Sequence, residues 1–408
     1  MKAFLKKFCM ALGIGLCLSG ILYGHFFEEK QEKTASPQTV REENRKNPEE
    51  STEAEHSDSR TSPKQKTPEK EASAEESPGK ESLEEEPPEE KISGEEASLE
   101  QAPVVLAFAG DVLFSEQYLA AYDQNGISAI ADAEMLSEMQ EADLFLLNEE
   151  FPFSLRGEAM EDKQYTFRAD PKYIKIFQEL GTDIVTIANN HSLDFGQDAF
   201  CDTLDTIRQT DIACIGGGYN IAEASAPAIR TIRGQTFAVF GATRVSPSYE
   251  WYATGSQPGL FQTYDPAKLN AAITEAKQTC DYAIVFVHWG IEHNEFPEEY
   301  QRQLAKGYID AGADLVVGCH PHILQGFEYY SGVPIVYSLG NYLFGNRSGE
   351  TLLLKASFSE GASPEIRLIP CQRTNGILAR IRQPAGLYQH LTDISFGTGI
   401  SDEGILTP

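Results

Sequence analysis

Six short segments of this chain carry residues able to bind a metal ion, and each directly follows a run of apolar residues. Gly110-Asp111 follows the run 104–109, Asn148-Glu149-Glu150 follows 144–147, and Asn189-Asn190-His191 follows 184–188, with Asp194 and Gly196 close behind. His288-Trp289-Gly290 and then Glu292 follow 283–287, Gly318-Cys319-His320-Pro321-His322 follows 315–317, and Leu339-Gly340-Asn341 follows 335–338. Five of the eight histidines (His191, His288, His293, His320 and His322) fall in these segments. One histidine after an apolar run is usually a hydrogen-bonded loop residue, and one Gly-Asp is usually a turn. Six such segments together point to a single converging site. Imidazole nitrogen, carboxylate oxygen and amide carbonyl suit borderline or hard divalent ions, so one or two ions of Mn, Zn, Fe or Mg are the expected cofactors. No thiolate is needed. His320 and His322 both reach one centre if the backbone turns between them, as Pro321 encourages. Two ions about 3.5–4 Å apart would clamp a phosphoryl group and activate a water.

The elements that must position these residues are legible as short apolar runs separated by helical patterns. Residues 171–180, 197–209, 266–279 and 298–311 place apolar side chains at three- and four-residue spacing, which predicts helices. Strand and helix alternate, so an α/β sheet with helices packed on it is expected. Continuous apolar runs predict strands covered on both faces. Ligands in such sheets bind at the carboxyl ends of the strands, where all six segments lie. After Thr351 the helical pattern fades, and 352–358 and 365–370 read as a closing pair of strands.

The chain has 408 residues and a formal net charge of -29, from 62 acidic and 33 basic side chains. Phosphates would repel it, so nucleic acid is not an expected partner. Seven cysteines, none in a CxxC pair and two of them in the N-terminal apolar run, do not make a disulfide framework. Lys2, Lys6 and Lys7 precede an apolar stretch from Phe8 to about Tyr23, which reads as a signal peptide or a signal anchor. No clear small-x-small cleavage site follows, and Leu16 before Cys17 does not fit a lipoprotein signal, so an uncleaved anchor over 1–27 is favoured. The lysines place the N-terminus inside and the rest outside, giving a single-pass cell-membrane protein with an extracytoplasmic domain. Residues 28–102 are mostly Glu, Lys, Ser, Pro and Thr and read as a disordered acidic linker. The main domain is expected over 103–358, with a C-terminal strand extension and tail over 359–408.

The motifs Phe108-Ala-Gly-Asp-Val, Asn148-Glu-Glu-Phe-Pro, Ala188-Asn-Asn-His-Ser-Leu-Asp-Phe-Gly, Val287-His-Trp-Gly-Ile-Glu, Gly318-Cys-His-Pro-His-Ile-Leu-Gln and Ser338-Leu-Gly-Asn-Tyr resemble, in order and spacing, those of the CapA (PgsA-like) capsule-synthesis proteins. The resemblance covers about 103–346. It implies a calcineurin-like metallophosphoesterase fold, a β-sandwich flanked by helices, and a role in poly-γ-glutamate capsule synthesis or export. By that likeness Asp111, Glu150, Asn190, His288, His320 and His322 are metal ligands. His191 is the acid that protonates a leaving group, and Asp194 and Glu292 orient His191 or the ligands. Asn148 and Asn341 are expected to contact substrate. Membrane subunits of a polymer synthase and an anionic cell-surface polymer are the implied partners. Two departures stand out. Metallophosphoesterases open with Asp-x-His, whereas Leu113 stands at the histidine position here. The second motif is usually Asn-Leu-Glu, and Glu149 brings a charge to a position that is normally apolar.

Three readings follow. The chain is a metal-dependent hydrolase of phosphoesters or of polymer amide bonds, an assembly factor that retains the site as a binding feature, or a binding module on a stalk. Cys319 reads as a buried thiol or a ligand, and Trp251 as groove lining or packing. Trp289 reads as packing beneath His288. Arg156, Arg168 and Arg244 are candidate contacts for an anionic polymer.

Overall fold

The computed structural model describes residues 102–345, 349–374 and 376–408. The expected anchor at 1–27 and all but the last residue of the expected linker lie outside the described residues. Among the described residues no helix is long and apolar enough to cross a membrane.

The chain builds two large sheets in three passes. The first pass lays down β1 (Val104–Leu113), β2 (Leu144–Glu149), β3 (Ile184–Thr186) and β4 (Ala213–Ile215). Helices α1 (Glu116–Asn125) and α2 (Ala133–Gln140) join β1 to β2, α3 (Ile174–Leu180) leads to β3, and α4 (Gly196–Arg208) leads to β4. The second pass makes the other sheet from β5 (Ala228–Ile232), β6 (Gln235–Thr243), β7 (Tyr282–His288), β8 (Leu315–Cys319), β9 (Phe327–Tyr330) and β10 (Val333–Val336). Helix α5 (Ala267–Ala276) precedes β7 and α6 (Glu299–Asp310) precedes β8. The third pass returns to the first sheet with β11 (Asn341–Phe344), β12 (Glu350–Phe358), β13 (Glu365–Thr374) and β14 (Ile377–Arg380), and α7 (Ala385–Asp393) follows.

The first sheet runs β14-β13-β12-β1-β2-β3-β4, with β11 also on β1, and the second runs β9-β10-β8-β7-β6-β5. The strands that end in polar segments pair in parallel, so their carboxyl ends share one edge. Leu106, Phe108 and Leu146 of the first sheet share a buried cluster with Val239, Phe286 and Val317 of the second. Alternation along the strands turns Ala107, Phe145 and Leu147 to the opposite face, against Tyr118, Met135, Phe177 and Phe200 of α1 to α4. Ala238, Val285 and Val316 face Leu269, Ile273, Ala305 and Tyr308 of α5 and α6. The result is a β-sandwich flanked by helices. Each large apolar side chain so buried contributes about 1.5–3 kcal/mol, which is why strands covered on both faces dominate the chain.

Register is set at the edge opposite the polar segments by one device used four times. Asp143, Asp183, Asp281 and Asp314 each stand immediately before a strand. The carboxylate of each accepts the backbone N–H of a residue in the neighbouring strand: Val105 at 2.8 Å, Phe145 at 2.7 Å, Thr236 at 2.7 Å and Ala283 at 2.7 Å. The backbone N–H of each aspartate donates to the carbonyl of that same residue. Two bonds to one partner fix the stagger of adjacent parallel strands, and with it the point at which their carboxyl ends emerge. At that other end two glycines allow close approach. A Cβ on Gly110 would lie 2.0 Å from the Gly340 carbonyl oxygen, and one on Gly318 would lie 2.1 Å from that of Tyr337.

Two parts of the fold lay beyond the sequence patterns. Helices α1 and α2 bury only Tyr118 and Tyr122, and Met135 and Met139, too few apolar positions to show a period. Strand β9 mixes polar and aromatic residues. The closing pair expected over 352–358 and 365–370 forms as β12 and β13, which pair in antiparallel register along residues 350–357 and continue the first sheet. Replacing Asp183 with alanine strands the buried N–H of Phe145. We expect a loss of about 1–3 kcal/mol, read as a lower denaturant midpoint at unchanged slope.

Candidate metal centre

The polar segments meet at the shared carboxyl edge. Asp111, Asn148, Glu150 and His288 are essentially sealed from solvent, and Asn190, His191, Asp194 and His320 are buried. Asp111 lies in β1 beside an irregularity in the strand's pairing, a local bend of the kind that re-aims a side chain. Asn148 is the central clamp. Its amide donates to Asp111 Oδ1 at 2.8 Å and to Glu150 Oε2 at 3.3 Å, while its carbonyl oxygen accepts from Asn189 Nδ2 at 3.0 Å. His322 Nδ1 lies 3.3 Å from Asp111 Oδ2 and 2.8 Å from Asn341 Oδ1, so Asn341 orients His322. His288 Nε2 meets Asn190 Oδ1 at 2.8 Å, and its Nδ1 faces Cys319 Sγ at 3.3 Å. The turn that brings both late histidines inward is visible in the backbone, with φ of 98° at His320 and 60° at His322. Non-glycine residues in that region cost about 1–3 kcal/mol each and cluster at functional sites.

Two sets of donor atoms lie within 4.8 Å of one another: Asp111, His288 and Cys319, and Glu150, His320 and His322. Glu150 Oε1 and His320 Nδ1 are buried without a hydrogen-bond partner. Buried polar atoms are otherwise almost always satisfied, so these orphans fit a metal ion as the missing partner. The expected ligands Asp111, Glu150, His288, His320 and His322 thus come together, with Asn190 hydrogen-bonded to His288. Leu113 joins the apolar cluster under the helices. Glu149, one residue from Glu150, alternates to the opposite face of β2, and neither of its buried oxygens has a partner.

Electrostatics follow from burial. Burial and the neighbouring Asp111 push the Glu150 carboxyl well above its ordinary range, and burial alone does the same to Glu149. Burial opposes ionisation of Asp111, but the bonds and charges of His322, Asn148 and His320 prevail and hold its carboxyl low. Burial and surrounding histidines pull His288 well down and His320 to about 3. His322 moves the other way, because Asp111 and Asn341 outweigh burial.

At the rim His191 Nδ1 is 2.7 Å from Asp194 Oδ2, a contact that fixes the orientation of the ring. Glu292 is exposed and, among the described residues, forms no hydrogen bond with His191; its charge bears on Glu150, Lys163 and His322 through space. Lys163 went unnoticed in the sequence. Its ammonium contacts Asp194 Oδ1 and the Asn190 carbonyl and stands 2.9 Å from His191 Nδ1. It sits in an irregular segment without periodicity, so no spacing could have singled it out. Asn189 was also missed as a brace; its amide bonds Asn148 and the Glu149 carbonyl, and its oxygen accepts from the His191 and Ser192 donors. Trp251 is buried, 5.4 Å from the Lys163 ammonium, and Trp289 is buried and donates to the Tyr337 carbonyl at 2.9 Å. Arg156 is paired with Asp202 at 2.6 Å, Arg168 stacks on Phe195, and Arg244 lies 3.6 Å from the Tyr264 ring centre.

These features define a class: a two-sheet α/β protein with a buried carboxylate–histidine cluster at the carboxyl edge of its strands. The family model for the bacterial capsule synthesis protein PGA_cap matches residues 105–346, and the chain belongs to that family. It is 31% identical over 240 residues to a protein of Bacillus subtilis (strain 168) named PGA biosynthesis protein CapA, covering 58% of this chain and 62% of that one. It is 31% identical over 222 residues to the capsule biosynthesis protein CapA of Bacillus anthracis, covering 53% and 54%. The chain therefore spans between about half and two-thirds of the length of these curated relatives. Among solved structures, the sulfate thiohydrolase SoxB of Thermus thermophilus aligns at 15% identity and a TM-score of 0.37, covering 62% of this chain and 42% of that one.

Burial pulls His191 below its ordinary range, Asp194 raises it and Lys163 lowers it again. Lys163→Met is therefore expected to raise the His191 pKa and Asp194→Asn to lower it, each followed by NMR titration of the ring protons.

Proposed function

We propose that this chain is a membrane-anchored, extracytoplasmic component of poly-γ-glutamate capsule biosynthesis or export, and that its buried cluster holds one or two divalent ions. The observation that carries the reading is the overlap of two spans: the family match over 105–346 includes every residue of the buried cluster. Relatives named for capsule biosynthesis support the biological role. The lysine-flanked apolar stretch at 1–27 supports the anchor, and the acidic linker supports a domain held clear of the membrane. Synthase membrane subunits and the anionic polymer are the proposed partners.

Asp111, Glu150, His288, His320 and His322, with Asn190, would hold the metal. When bound, a divalent cation supplies Lewis acidity and lowers the pKa of a coordinated water. Asn148 holds the two carboxylates together, and Asn341 holds His322 on Asp111. A second reading, hydrolysis of a phosphoester or polymer amide, is favoured by the His191–Asp194 pair at 2.7 Å. With Nδ1–H given to Asp194, the neutral ring presents its Nε2 lone pair to accept a proton from water.

Metal analysis of the full chain tests the site. His320→Ala and Asp111→Ala are expected to lose metal, and full retention by both overturns the assignment. Because the Glu150 carboxyl and His322 are both shifted toward their protonated forms, binding must displace protons, so apparent metal affinity rises with pH. Titrations with Mn²⁺ at several pH values, alongside a phosphodiester and γ-glutamyl cleavage panel, separate the two readings. Metal binding without cleavage of any of these substrates favours the assembly-factor reading over the hydrolase.

A further inference from the structure

We propose that a cavity beside the cluster is a carboxylate subsite whose receiving cation is Arg373. The inference deepens the capsule reading and rests on it for the identity of the ligand. The cavity has a volume of about 430 Å³, shares His322 and Asn341 with the cluster, and is lined further by Arg373, Leu324 and Leu387. That volume lies within the range of about 300–1,000 Å³ usual for ligand sites.

Arg373 is 5% exposed and is the only buried Lys or Arg among the described residues. Its Nη1 donates to the Phe344 carbonyl at 2.9 Å, its Nε has no partner, and among the described residues it makes no ion pair. The Tyr118 ring lies 5.0 Å from the guanidinium carbon, and the Tyr118 hydroxyl is likewise buried and unpartnered. Burial pulls the Arg373 pKa down, the mark of a cation without a counter-charge. Buried charges are ordinarily paired, and one left unpaired is strongly destabilising. Among the described residues no anion pairs with it. Of the two carboxylates lining the cavity, Glu295 is paired with His390 at 3.0 Å, and Glu350 is exposed and forms no ion pair with Arg373.

A ligand carboxylate completes the arrangement, because guanidinium and carboxylate match as planar, bidentate partners. A γ-linked glutamate chain carries a free carboxylate on every residue. A residue seated in this cavity would place its neighbour against His322 and Asn341. The subsite thus gives an acidic protein a local means of holding an acidic polymer.

Calorimetric titration of the metal-loaded full chain tests this, with a γ-linked glutamate trimer, its fully amidated counterpart and inorganic phosphate as probes. The trimer is expected to bind at least about tenfold more tightly than the amidated form, as befits a charge-assisted pair. Arg373→Gln is expected to remove that preference while leaving metal content and binding of the amidated form unchanged, and Arg373→Lys to fall between. Equal trimer affinity in wild type and Arg373→Gln overturns the subsite, as does phosphate binding without trimer binding. If Arg373→Gln fails to fold, the Arg373→Lys variant and the wild-type contrast between trimer and amidated trimer decide the matter. Wild type that binds metal but not trimer overturns the subsite and leaves the metal reading standing. Arg373-dependent trimer binding by a protein that takes up no metal does the reverse.

Discussion

Asp111 and Glu150 are two carboxylates sealed from water in one place, and the rest of the site is arranged around the cost of that choice. Two buried anions side by side repel, and burial penalises each of them separately. The protein resolves this unequally. Asp111 keeps its charge because His322, Asn148 and the His320 N–H surround it, while Glu150 is driven toward its neutral form. Asn148 is the hinge of the solution, since one amide group serves both carboxylates and is itself held by Asn189. Four parallel strands must end at the right heights for this to work, which ties the site to the aspartate clamps at the far edge.

The main features of the fold and most of the buried cluster could be read in the sequence because buried parallel strands leave continuous apolar runs, and polar residues at their ends stand out against them. The residues missed share a physical reason. Lys163 acts through position alone, from an irregular segment, and nothing in its neighbours marks it. Asn189 lies inside a motif that was noticed, yet its role as a brace depends on the geometry of the β2 end. Glu149 shows the opposite case, where strand alternation alone was enough to separate it from Glu150. Arg373 was invisible because a lone arginine in a closing strand looks like a solvent-facing one until its burial is known.

Family membership and local chemistry bear on different questions. The family is the one named for bacterial capsule synthesis, and the cluster describes what the domain can hold. The donors fall in two sets of three, one of which includes the thiol of Cys319. That thiol is kept neutral by burial and by the carboxylates nearby, so it serves here as a soft neighbour of His288.

The three-pass topology carries a consequence for the order of events during synthesis. Asp111 emerges from the ribosome early, and its partner His320 lies 209 residues further on. Asn341 and β11 come later still, and they pair with β1 only after the entire second sheet has been threaded. The nascent first sheet must therefore wait with a raw edge and an uncompensated acidic pocket until the last quarter of the chain arrives. Closure of the pocket waits for β11, so a finished site certifies that the chain has been made at least as far as Asn341.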